Sequence, residues 1–115
     1  MSPTTRIAFS MGLAFTAAAC GSSEVPAKQM AKSESAIRAA SEIGAQDNPQ
    51  ASLHLKMAKD SYTQAQAASK DGKQETAERL LEKAEADAEL ALALTRKEQS
   101  AAKAEQAKEK RQPNQ

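Results

Sequence analysis

Cys20 is the only cysteine of this 115-residue chain, and the residues before it give its thiol a context. Arg6 is followed by a stretch without Asp, Glu, Lys or Arg that runs to Ala19, with Ile7, Phe9, Met11, Leu13 and Phe15 as its large apolar side chains. A positive start, an apolar stretch of roughly 7–15 residues and small residues at the end form a secretory signal. The stretch is shorter than the ~20 apolar residues that cross a bilayer core. Three readings follow: cleavage directly before Cys20, cleavage nearby that leaves a free thiol, or a lone cysteine at the edge of an ordinary apolar helix. An unpaired thiol in an oxidising compartment needs a chemical explanation.

Ala17-Ala18-Ala19-Cys20 resembles the lipobox of bacterial lipoproteins, although Leu is the usual residue where Ala17 stands. The resemblance implies a diacylglyceryl thioether on Cys20 Sγ and an acyl amide on its new amino group. In such lipoproteins Asp after the cysteine retains the protein at the inner membrane. Gly21 holds that position here, which implies the outer membrane and its periplasmic face. One acyl chain binds membranes marginally, whereas two or more anchor stably.

No other residue set carries readable chemistry. His54 is the only histidine, so a metal site of histidine and cysteine is not expected. It neighbours Leu53 and Leu55 and is expected to face solvent. Ser52 and Ser61 lack a base and an orienting acid at a readable spacing. Glu82, Glu85, Asp87 and Glu89 are interleaved with Lys83, and no glycine-containing calcium loop accompanies them. They read as a solvated helix face. No cofactor and no enzymatic activity are expected.

Charge and composition narrow the partners. The chain holds 16 basic and 15 acidic side chains, and loss of Arg6 with the signal leaves them balanced. Tyr62 is the sole aromatic beyond the signal. Nucleic-acid binding, which calls for a basic face and stacking aromatics, is therefore excluded. Alanine dominates the apolar residues, so the core is expected to be thin and the fold elongated, with self-association open to it.

These features sit on a predicted all-α architecture. Residues 1–19 are the signal, 20–26 a polar tether, 27–96 an alanine-rich helical domain, and 97–115 a charged helical extension with a disordered tail. A first helix is expected over about 27–43, with Ala27, Met30, Ile37 and Ala40 on one face and Gly44 at its end. Asn48-Pro49 is a cap followed by a first-turn proline. It opens a helix to about Asp71 with the stripe Ala51, Leu55, Ala58, Tyr62 and Ala65. Gly72 ends that helix. A third helix runs from Gln74 to about Lys110, with the stripe Ala77, Leu81, Ala84, Ala88 and Ala91. The short turn makes helices two and three an elongated antiparallel hairpin. Beyond Leu94 large apolar residues stop, and the remainder is helix-prone by propensity and expected to fray.

Part of this pattern, Gly72 with Ala77, Leu81 and Ala84, is similar to one tetratricopeptide hairpin, without a second copy of the repeat. The fuller likeness covers roughly residues 31–96. Ala36-Ile37 with Ala40, Gly44-Ala45, Asn48-Pro49, Leu55 with Ala58, Gly72, and Ala77 through Glu89-Leu90-Ala91 resemble the domain-of-unknown-function family 4398. These are short alanine-rich helical domains on bacterial lipoproteins. Members often carry, or sit beside, a peptidoglycan-binding domain of the outer-membrane-protein-A type. The resemblance implies architecture and address, and no activity.

The functional expectation is a structural or interaction protein of the cell envelope, held to the membrane through lipid on Cys20. Its expected partners are an envelope protein or peptidoglycan, or a second copy of itself. The mildly basic C-terminal segment is a candidate contact for an anionic envelope polymer. Covalent attachment through a terminal lysine, as in the abundant murein-linked lipoprotein, is not expected, because Gln115 stands there. An adaptor or chaperone-like module is the alternative, and its signature is Leu53, Met57, Leu90 and Leu92 exposed on an outer face.

Overall fold

The computed structural model describes residues 27–112. Three α-helices are present, α1 (Ala27–Glu42), α2 (Pro49–Lys70) and α3 (Gln74–Arg111), with a 3₁₀ turn at Ala45–Asp47 between the first two. No strand occurs among the described residues. The all-α expectation and the three predicted helices hold. Cys20 and the tether lie outside the described residues.

Local chemistry sets each boundary. Gly44 ends α1 in the left-handed region at φ 85°, where a Cβ would be strained. Asn48 caps α2: its side-chain oxygen accepts from the Ala51 N–H at 2.8 Å, and Pro49 occupies the first turn, where an N–H would have no partner. At the other end Gly72 has φ 75°. The Lys73 N–H reaches back to the Ala68 carbonyl at 2.9 Å and the Gly72 N–H to Ser69 at 3.1 Å, satisfying carbonyls that α2 leaves open.

The hairpin of α2 and α3 forms as expected, and α1 does more than precede it. Ser33 of α1 meets Leu81 of α3, and the Gln99 side chain of α3 donates to the Ile43 carbonyl at 3.0 Å. Residue numbers thus rise together on α1 and α3, so α1 runs parallel to α3 and antiparallel to α2. The result is an up-down-up bundle of three helices over its first two-thirds.

The seam is made of small residues. Of the twelve buried apolar side chains among the described residues ten are alanine, the others being Leu55 and Leu81, so the helix axes can approach closely. One cluster near Gly72 joins Ala65, Ala68, Ala77 and Leu81, flanked by Met30, Tyr62 and Leu80. Another near the Gly44 corner joins Ala40, Ala45, Ala51, Leu55 and Ala91, flanked by Ile37, Leu92 and Leu94.

The expected α3 stripe is buried throughout and continues to Thr95. Two other stripes need correction. In α2 Ser61 is buried and Tyr62 only half-buried, because the seam accepts a small side chain and turns the large ring to the flank. In α1 Ser33 is buried while Met30 and Ile37 are half-buried and Ala27 is exposed. The Ser33 hydroxyl lies 3.0 Å from both the Gln29 and Leu81 carbonyls, so its polarity is satisfied inside the seam.

Beyond Gln99 every described residue of α3 is exposed. The stretch 100–111 is therefore an overhang of about 18 Å, helical by continuity with the packed part rather than by contacts of its own.

Candidate functional site

The sequence-predicted contact residues start from helix geometry. Leu53 and Met57 stand one turn apart on α2, off the buried stripe of Ala51, Leu55 and Ala58. On α3 Leu90 and Leu94 are likewise one turn apart, beside the stripe of Ala88 and Ala91. The hairpin register brings Leu53, Leu90 and Leu94 together with Gln50 and His54 around a shallow groove of roughly 350 Å³. Leu53 is 57% exposed and Leu90 42%, the large apolar side chains most open to solvent among the described residues. Met57 is half-buried and does not line the groove. Leu92 is half-buried as well, packed against the cluster of Ala40, Leu55 and Ala91. The four candidates therefore do not form one open patch; Leu53 and Leu90 do, and Leu94 joins them.

A polar cluster borders this groove that sequence reasoning missed. His54 was expected to face solvent. It is half-buried instead, with Nδ1 3.2 Å from Asp87 Oδ1, and it ties α2 to α3. Lys83 Nζ holds the other oxygen of Asp87 at 2.7 Å, one turn away on the same helix. Burial alone would raise the Asp87 pKa, but Lys83 and His54 together outweigh it and hold the carboxyl below its usual range. The only signal in the sequence is positional: His54 and Asp87 each directly precede a seam residue. Thirty-three positions separate them, and only the hairpin register makes them neighbours.

The pair has the form of a base with an orienting acid. Among the described residues the Asp87 carboxylate is the only hydrogen-bond partner of the His54 ring. Among the described residues no hydroxyl is hydrogen-bonded to this pair, and the contact ties α2 to α3 beside an apolar groove. The expected solvated face of Glu82, Glu85, Asp87 and Glu89 is only partly so. Glu85 is largely covered and takes the Lys32 ammonium of α1 at 2.6 Å. The Lys32 pKa rises through the hydrogen bond it donates to Glu85 and through that carboxylate's charge. Lys28, Gln29, Lys32, Glu82 and Glu85 line a second open groove of about 390 Å³ between α1 and α3.

On the other side of α1, between α1 and α2, the Tyr62 hydroxyl donates to Glu34 Oε2 at 3.5 Å. Burial first, and then the Glu34 charge, raise the Tyr62 pKa. At the Gly44 corner Asn48 donates its amide to Glu98 while capping α2 with its oxygen. These contacts position the helices. No group of His, Cys, Asp and Glu among the described residues could hold a metal ion. No helix among the described residues is long and apolar enough to cross a membrane.

Comparison with known proteins follows the same division between architecture and activity. Neither the curated proteins nor the solved structures give a match to the chain. Residues 28–107 match the family described as Domain of unknown function (DUF4398). That span takes in all but the first residue of α1, all of α2, and α3 into its overhang, further than the resemblance at 31–96 reached. With most of its length inside this match, the chain belongs to the DUF4398 family.

Proposed function

We propose that the protein is a lipoprotein of the bacterial outer membrane, anchored through lipid on Cys20 and facing the periplasm, with a structural or protein-interaction role in the envelope. The observation that carries this reading is the run Ala18-Ala19-Cys20-Gly21 behind an uncharged apolar stretch. Family membership is compatible with it and assigns no activity. The role is a non-enzymatic one.

The bundle gives the anchor a direction. Because α1 is parallel to α3, its first residue lies at the Gly72 end of the bundle. A tether ending there sets Gly72 toward the lipid and aims the α3 overhang away from it. Helix α3 alone spans about 55 Å at 1.5 Å per residue. Its outer half, from the groove of Leu53 and Leu90 at mid-helix to the basic residues Lys103, Lys108, Lys110 and Arg111, is then the part offered to an envelope protein or to peptidoglycan.

Metabolic labelling with a fatty-acid probe tests the anchor. Label is expected on the wild-type chain and absent from Cys20→Ala. Label that survives Cys20→Ala, or a purified native chain that retains its initiator methionine, sinks the reading.

The exposed pair Leu53 and Leu90 favours a second reading, an adaptor or chaperone-like module that takes a guest helix in the groove. Photo-crosslinking from position 53 in intact cells discriminates the two. Capture of one discrete envelope protein, lost in Leu90→Asp, supports the adaptor; capture from the overhang alone supports the structural tether.

A further inference from the structure

One exposed row of α3, which borders the α1–α3 groove at Glu82, carries a charge series whose order of sign is self-complementary. Every seventh residue from the first turn to the last is charged: Glu75, Glu82, Glu89, Arg96, Lys103 and Lys110. All six are exposed. Three acids precede three bases, and the change of sign falls between residues 92 and 93, near the middle of the helix. Among these six only Glu75 has an ion-pair partner among the described residues, Arg79 at 3.7 Å. The helix dipole does not explain the order, because its effect fades within the terminal turns and Glu82, Glu89 and Arg96 lie well inside.

The residues that follow each of Glu82, Glu89, Arg96 and Lys103 by four, Ala86, Ala93, Ser100 and Ala107, are small and exposed as well. A second helix could therefore come close beside the charged row. Such a row drifts by about 20° per heptad on a straight helix, and a left-handed crossing of about 20° keeps it facing a partner.

We infer that this face of α3 binds a second copy of the chain, antiparallel, about a two-fold axis near Ala93. In that register Glu89 meets Arg96 of the other copy, Glu82 meets Lys103, and Glu75 meets Lys110. The two-fold repeats each pair, so the series is fully matched. A contact of this kind is isologous and closes as a dimer. The basic half of the row lies on and near the overhang, which explains why a helix continues past its own bundle: the projecting turns are covered by the acidic half of the partner. Leu90, exposed in the monomer, lies within one turn of the axis. The inference stands on the charge order of α3 and not on the lipid anchor. The two Gly72 ends of the pair point opposite ways, so the outward direction proposed for the overhang is that of a single anchored chain, and a pair held by both tethers lies along the membrane.

Sedimentation velocity of the full-length Cys20→Ser chain at low ionic strength tests it. The parent should sediment as a dimer that weakens as salt is added. Reversing the basic half (Arg96→Glu, Lys103→Glu, Lys110→Glu) or the acidic half (Glu75→Lys, Glu82→Lys, Glu89→Lys) should each weaken self-association on the order of tenfold or more. Mixing the two variants should restore a dimer, and so should combining all six changes in one chain. The smaller set Glu89→Arg, Arg96→Glu and the two together repeats the logic with less perturbation, and circular dichroism confirms that helix is retained. A monomeric parent, a half-reversed variant that dimerises like the parent, or a mixture that fails to pair overturns the inference. A Lys103→Cys chain that forms a disulfide with its own kind, rather than with a Glu82→Cys chain, overturns the antiparallel arrangement.

Discussion

The Ser33 hydroxyl of α1 lies 3.0 Å from the Leu81 main-chain carbonyl of α3, both side chains fully buried. A helix that already bonds its own backbone is thus joined to its neighbour through a carbonyl lone pair to spare. The seam at this point has room for a side chain no larger than serine. Ser33→Ala should cost only about 0.5–1.5 kcal/mol, since the Leu81 carbonyl can keep its helical partner. Ser33→Leu should cost more, about 1–3 kcal/mol, by forcing α1 off the hairpin. Urea unfolding of the two variants checks the order; a more stable Leu variant would contradict it.

Leu81 is the largest fully buried side chain among the described residues, and it sits among alanines. Leu81→Ala should destabilise the fold by about 2–5 kcal/mol. Leu53→Ala, at a side chain 57% exposed, should stay within about 0.5 kcal/mol of the parent. Thermal melts followed by circular dichroism separate the two.

Asp87 makes stability depend on pH in a defined sense. Its folded-state pKa is lowered, on balance, by Lys83 and His54 against the opposing effect of burial. The contribution is therefore full above the ordinary carboxylate value of about 3.9 and is lost as pH falls through the lower folded value. Asp87→Asn should cost about 1 kcal/mol at neutral pH. It should also flatten the fall in stability on acidification, and urea midpoints at neutral and acid pH measure both effects.

The two turn glycines should respond unequally to alanine. Both have positive φ, which costs an L-residue about 1–2 kcal/mol. A Cβ on Gly72 meets nothing within 4 Å, whereas one on Gly44 comes to 3.1 Å from Asp47 Oδ2. Gly44→Ala should therefore be the more damaging, and Gly72→Asn should be milder than Gly72→Ala, because asparagine tolerates the left-handed region. Melting temperatures of the three variants test the ranking.

Particular residues show how far the sequence could be read. The seam of α3 from Ala77 to Ala91 was legible because alanine and leucine recur at helical spacing and nothing competes for the face. Asn48-Pro49 and Gly72 were legible because capping and left-handed backbone are local chemistry. Tyr62 misled because hydrophobicity marks what prefers burial, while the distance between helix axes decides what fits; Ser61 fits and the ring does not. His54 misled for a related reason, its partner Asp87 being set by the register of two helices and not by any neighbour in the chain.

The amino-acid order alone determined the helices, their ends, and the seam and charge series of α3, since each follows from backbone preference and from the 3.6-residue turn. It also carries the Cys20 context, which is a matter of local residue types. The tertiary structure decided that α1 returns parallel to α3, that Leu53 and Leu90 share one groove while Leu92 does not, and that residues 100–111 project uncovered. Those outcomes depend on how closely alanine lets helices approach and on where they stop touching, quantities that exist only once the helices are packed.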